Sequence, residues 1–106
     1  MKLWRDSVMA KIIEFISGAR ADFDESFDWY AERSEAAALG FAEAVENAFD
    51  KILADPDRFS KTIRDCQYCT LKRYPFRLVF HQDTKCILIV AIAHAKRRPY
   101  YWRDRV

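Results

Sequence analysis

The chain has 106 residues, 51% of them hydrophobic and 15% aromatic, with two glycines and three prolines. That is the size and make-up of one compact domain and excludes collagen-like, low-complexity and disordered chains. Net charge is +2, but residues 1–60 carry 7 Lys/Arg against 13 Asp/Glu whereas residues 61–106 carry 11 against 3. An acidic first half and a basic second half predict one face suited to an anionic partner.

Met1 to Val8 shows no clear period and is set apart as an N-terminal extension whose order the sequence leaves open. A single domain is expected over residues 9–106. No secretory leader is read here, because Lys11 and Glu14 break the apolar stretch after Met9. Lys11 to Ser17 is β-branched and aromatic, a short strand that Gly18 ends. From Ala21 the period changes: Phe23, Phe27 and Tyr30/Ala31 predict an amphipathic helix, with Asp22, Asp24, Glu25 and Asp28 near its positive end. Ser34 is the expected N-cap of a second helix, whose apolar stripe is Phe41, Ala44/Val45, Ala48/Phe49 and Ile52. Asp55-Pro56-Asp57 stops it, since proline cannot continue the ladder.

After Phe59 the period becomes two. Gln67 to Tyr74 is a strand candidate that ends before Pro75. In the next strand Phe76, Leu78 and Phe80 share one face and Arg77, Val79 and His81 the other. A hairpin at Gln82–Lys85 leads into Cys86 to Ala93, an interior strand apolar on both faces. That run is far shorter than the roughly 20 residues of a membrane helix. The order predicts an α+β domain: an N-terminal strand, a two-helix hairpin, then a three-stranded antiparallel meander, with the helices on one face of the sheet.

Three sites invite chemistry. Cys66-x-x-Cys69 has the spacing of a zinc or redox pair, but only Cys86, His81 and His94 could complete a metal shell. An odd count of three cysteines fits a reducing, cytoplasmic setting rather than a disulfide framework, so no metal and no cofactor are expected. If Phe76, Leu78 and Phe80 meet the helices, Arg77 faces the open side of the sheet. With Tyr100, Tyr101 and Trp102 nearby it could hold phosphates and stack bases; equally, the aromatics could cover the sheet while the arginines reach water. Pro99 biases Arg98 to an extended backbone, which would lay Trp102 back over the fold as an anchor. His94 ends a buried strand, where an imidazole can move protons or order the backbone that follows it.

The run Tyr74 to Phe80, the hairpin, and then Ile89 to Arg103 with His94, Arg97, Pro99 and Trp102 resemble the RelE/ParE superfamily of toxins, in particular its plasmid stabilisation group. Ala19 to Tyr30 and Asp55 to Phe59 fit the same pattern, so the resemblance spans Ile12 to Arg105. It implies the toxin of a type II toxin–antitoxin pair, neutralised by a cognate antitoxin protein and meeting operator DNA only through that antitoxin. RelE-like members cut mRNA on the ribosome; ParE-like members arrest growth by binding DNA gyrase. If the chain is a nuclease, the resemblance implies Arg77 and Arg97 as catalytic residues with a C-terminal tyrosine supplied by Tyr100 or Tyr101, and His94 offers an imidazole suited to moving protons. Two lysines that RelE-type nucleases carry on the preceding strand are replaced by Tyr68 and Thr70, which favours the ParE side. A third alternative is a non-toxic member that binds only its antitoxin or nucleic acid. Whichever reading holds, Lys72, Arg73, Lys96, Arg98, Tyr101, Trp102 and Arg103 are the expected target- or antitoxin-binding residues.

Overall fold

The computed structural model describes residues 12–106; the extension expected at Met1–Val8 lies outside the described residues. The elements run β1 (Ile12–Phe15), α1 (Ser17–Arg33), α2 (Glu35–Ala54), a 3-10 turn (Pro56–Arg58), β2 (Gln67–Thr70), β3 (Phe76–Gln82), β4 (Cys86–His94) and a second 3-10 turn (Arg103–Arg105). One four-stranded sheet has the order β1-β4-β3-β2. Its β1 strand lies parallel to β4, while β2, β3 and β4 form the antiparallel meander. The helical hairpin covers one face, as the periodicities require.

Ser34 breaks the two helices apart and caps the second: its hydroxyl accepts from the Ala37 amide at 3.2 Å, a contact that contributes about 1 kcal/mol to such helices. Beneath the hairpin, Phe41, Val45, Ala48 and Ile52 of α2 meet Leu78, Phe80, Ile87, Ile89 and Ile92 of the sheet. Gly40, in the second turn of the second helix, is a seat for Tyr74: a methyl group there would collide with the Tyr74 hydroxyl, which donates to the Ala37 carbonyl at 3.1 Å.

Two local expectations are corrected. The first helix begins at Ser17 rather than Ala21, so Ser17 and Gly18 are helical and no acid lies in its first turn. Asp22 therefore sits a full turn deeper and is buried, only 5% exposed. The strand expected over Gln67–Tyr74 stops at Thr70, because Arg73 adopts a left-handed backbone with φ 71° and the chain turns. Phe76, Leu78 and Phe80 do face the helices, while Val79 joins a second cluster on the opposite face. There Val79 pairs with Ala91 and Phe80 with Ile89, leaving Val90 as the extra residue of a bulge. Val90 and Ala91 thereby both belong to that second cluster.

The second face is covered by the chain's own C-terminal segment. Trp102, only 4% exposed, packs with Cys66, Val79, Val90 and Ala91, which is the anchoring position that Pro99 implied. The turn leading to it has Pro99 second and Tyr100 third, with the Tyr101 amide donating to the Arg98 carbonyl at 3.3 Å. Tyr100 takes φ 57°, a position normally left to glycine.

Candidate functional site

Between the β3–β4 surface and this C-terminal strap lies a cleft of about 430 Å³. The strands contribute Tyr68, Thr70, Arg77 and His94; the strap contributes Arg97, Arg98, Tyr100, Tyr101 and Trp102. No carboxylate is among its lining residues. Of the residues singled out from the sequence, Arg77, His94, Arg97, Arg98, Tyr100, Tyr101 and Trp102 are thus brought together. Lys72 and Arg73 are not. Because the chain turns at Thr70, both line a separate groove beside Lys51 and Asp50 of α2. Lys96 and Arg103 are exposed but do not line the cleft.

Two of the three arginines lining the cleft, Arg77 and Arg97, are pre-oriented on aromatic rings. The Arg77 guanidinium lies 4.3 Å from the centre of the Tyr68 ring, and that of Arg97 lies 3.8 Å from Tyr101. A guanidinium stacked in this way keeps its in-plane N–H edges for an anion while occupying the face a base would need. Tyr100 is different: 45% exposed, it meets Trp102 edge-on at 6.0 Å.

His94 packs edge-on against Phe76 at 4.9 Å, and its Nδ1 accepts from the Lys96 amide at 3.0 Å. The Arg97 amide also donates to the His94 carbonyl at 3.0 Å. Both ring and backbone of His94 therefore shape the turn that starts the strap. The two cysteines of the Cys-x-x-Cys run are separated by the sheet, Cys66 in the cluster under Trp102 and Cys69 in the helix-side core. Burial pushes both thiols above their ordinary pKa, against the thiolate that metal binding or exchange needs. Among the described residues no group of three or more His, Cys, Asp or Glu side chains could hold a metal ion.

One carboxylate ties the strap down, and the sequence reading did not single it out for a site. Strand β1 spans four residues against nine for β4, so among the described residues the β4 edge beyond Ile89 has no strand partner. Side chains take over. Asp22 reaches from α1 and accepts from the Ile92 amide at 3.1 Å; Arg105 donates to the Val90 carbonyl at 3.0 Å. Asp22 also accepts from Tyr101 Oη at 2.8 Å and from Arg105 at 2.8 and 3.3 Å, and lies 3.8 Å from Arg97. A buried carboxylate is costly unless paired and hydrogen-bonded, and here it is both. Burial first, then the bond to Asp22, push the Tyr101 hydroxyl well above the ordinary tyrosine range, so it is a poor proton donor. Arg105 holds its proton more tightly than a free arginine because Asp22 outweighs the cost of its burial. Gly18 makes room for this guanidinium, since a Cβ there would stand 2.6 Å from Arg105 Nε.

A pattern signal for Asp22 was present: it lies three residues after Ala19 and one before Phe23, inside the apolar stripe of α1. Nothing comparable marks Arg105.

The match to the family described as "ParE toxin of type II toxin-antitoxin system, parDE" spans residues 13–99. The chain belongs to the ParE toxin family. It ends its match at Pro99, so Tyr101 and Arg105 lie beyond the stretch that defines the resemblance to other ParE toxins. Among solved structures, a chain of the "Chromosomal ParDE TA system from P. aeruginosa" is similar in fold, with a TM-score of 0.70 at 20% identity over 81% of this chain and 97% of that one. No curated protein matches the chain. Among the described residues, no helix is long and apolar enough to cross a membrane.

Proposed function

We propose that this ParE-family toxin arrests growth by binding a cytoplasmic target such as DNA gyrase, and that a cognate antitoxin protein neutralises it, with operator DNA met only through that antitoxin. The observation that carries this reading is the state of the cleft's cations. Arg77 lies on Tyr68 and Arg97 on Tyr101, and Tyr68 and Thr70 stand where RelE-type nucleases are expected to carry lysines. Phosphoryl transfer needs cations converging on the developing phosphorane and a group able to move protons. Here Tyr101 is engaged by Asp22 and His94 Nδ1 by the Lys96 amide, so any proton transfer would fall to His94 Nε2 or the exposed Tyr100 without the converging lysines. Stacked guanidiniums with open edges, in a cleft lined by no carboxylate, suit the side-chain carboxylates of a protein surface better than a chain of stacked bases.

Pulse labelling within minutes of induction without antitoxin tests this. Thymidine incorporation should fall first, while methionine incorporation continues, and purified toxin in molar excess should inhibit gyrase supercoiling. Intact supercoiling under those conditions overturns the gyrase assignment. Methionine incorporation collapsing first points instead to ribosomal mRNA cleavage, with Arg77 and Arg97 as the residues to replace. Harmless overexpression identifies a member that only binds its antitoxin.

A further inference from the structure

We propose that Asp22 is a positioning residue of the target-binding cleft, one that acts through Arg97. The proposal rests on the target-binding reading above and concerns how its cations are presented.

The geometry is a three-point fixture. The Arg97 guanidinium lies 3.8 Å from Asp22 Oδ1 on one side and 3.8 Å from the Tyr101 ring centre on the other. Tyr101 is itself held, because its hydroxyl donates to the second oxygen of the same carboxylate. One buried residue of α1 thus sets both supports of a cation that belongs to the strap. The charges do not cancel: one carboxylate faces two guanidiniums. Arg105 takes the inner position, making both short contacts to Asp22 and donating to the Val90 carbonyl. Arg97 takes the outer position, its side chain 48% exposed. The fixture is left one anion short, and the cation with spare donors is the one lining the cleft. A long side chain ordered before its partner arrives loses less freedom on binding, so a carboxylate of the target meets a prepared donor.

The competing role for Asp22 is purely architectural: satisfying the Ile92 amide and balancing Arg105. Asp22→Asn alone does not separate the two roles, since it leaves Arg105 charged and without its counter-ion. The double variant D22N/R105Q does, because it removes the buried carboxylate together with its half-buried counter-ion and keeps amides in their place. Growth arrest is read as the induction level needed to stop growth, whichever target is struck. Order at Arg97 is read from the heteronuclear NOE of its Nε–H, and strap integrity from exchange protection of the Trp102 indole.

The double variant should keep Trp102 protected, lose order at Arg97, and need about tenfold more protein to arrest growth. Arg97→Gln should cost about the same, and adding it to the double variant should cost nothing further, since the two changes act on one fixture. Arrest at the wild-type level in the double variant, with its strap intact, overturns the proposal. So does an Arg97 Nε that is already mobile in the wild-type protein. A wild type that arrests growth without inhibiting gyrase removes the gyrase assignment and leaves the Asp22 comparison fully readable. A wild type that arrests nothing removes the toxin activity, and the Arg97 order measurement then decides the role of Asp22 alone.

Discussion

The two faces of the sheet are covered in different ways. On the helix side, Phe41 is fully buried and packs within 5.4 Å of the rings of Phe23, Tyr30 and Phe76, in a continuous apolar core. On the other side a short segment without strand pairing is held chiefly by the Trp102 indole and the Asp22 carboxylate, with an exposed Arg64–Asp104 ion pair beside them. Apolar packing spread over two helices is redundant; a strap pinned at two points is not. The fold resides in the first face, and the exposed cations that a partner would meet reside on the second. A small change on the strap side can therefore alter what the molecule presents while leaving the domain folded.

The largest expected effect breaks the helix side. Phe41→Ala should cost about 3–5 kcal/mol, the range for a buried aromatic truncated in a core, and urea unfolding should show it as a lower midpoint for the whole domain. Trp102→Ala tests the opposite expectation. Its loss of about 3 kcal/mol should be concentrated in the strap, seen as accelerated amide exchange over residues 97–106 with little change in α2; a uniform loss across the domain would erase the distinction between the faces. Smaller again is Gly40→Ala, which forces a methyl into the Tyr74 hydroxyl and should cost about 1–3 kcal/mol as an overpacked site. Adding Tyr74→Phe should recover part of that loss, a coupling expected of neighbours in contact.

The finest probe is pH. Burial and donation to Asp22 raise Tyr101 above its ordinary value of 10.0. Above that value the folded chain keeps a proton that the unfolded chain has lost, so stability falls as pH rises. The contribution is complete below pH 10 and is withdrawn as the pH climbs towards the folded-state value. In Tyr101→Phe this alkaline decline should be reduced, measured by denaturation at pH 9 and pH 11.

The element order, the helical hairpin and the Ser34 cap were legible because each rests on a local signal (period two, period 3.6, or a capping side chain), whereas the parallel seat of β1 beside β4 rests on none. The end of β2 was not legible. A left-handed Arg73 carries no sequence mark of the kind a glycine would leave, and Lys72 and Arg73 were consequently expected near a cleft they do not line. The cleft itself was half legible, since Arg77, Arg97 and Tyr100 lie close along the meander and its exit. The Asp22–Arg105 pairing was missed for another reason: the two residues are 83 apart, Arg105 carries no mark, and an acid among other acids on α1 reads as solvated until its place in the apolar stripe is weighed.

The unequal charge of the two layers has a kinetic consequence. The helices carry nine acidic against three basic residues, while the chain after Ser60 carries three against eleven. Such a molecule is an electric dipole as well as a cation of modest net charge. In the field of an acidic surface it turns before it touches, so that encounters begin with the strap face foremost. Capture by such a surface should be fast in dilute salt and slow steeply as ionic strength shortens the distance over which the molecule can be turned.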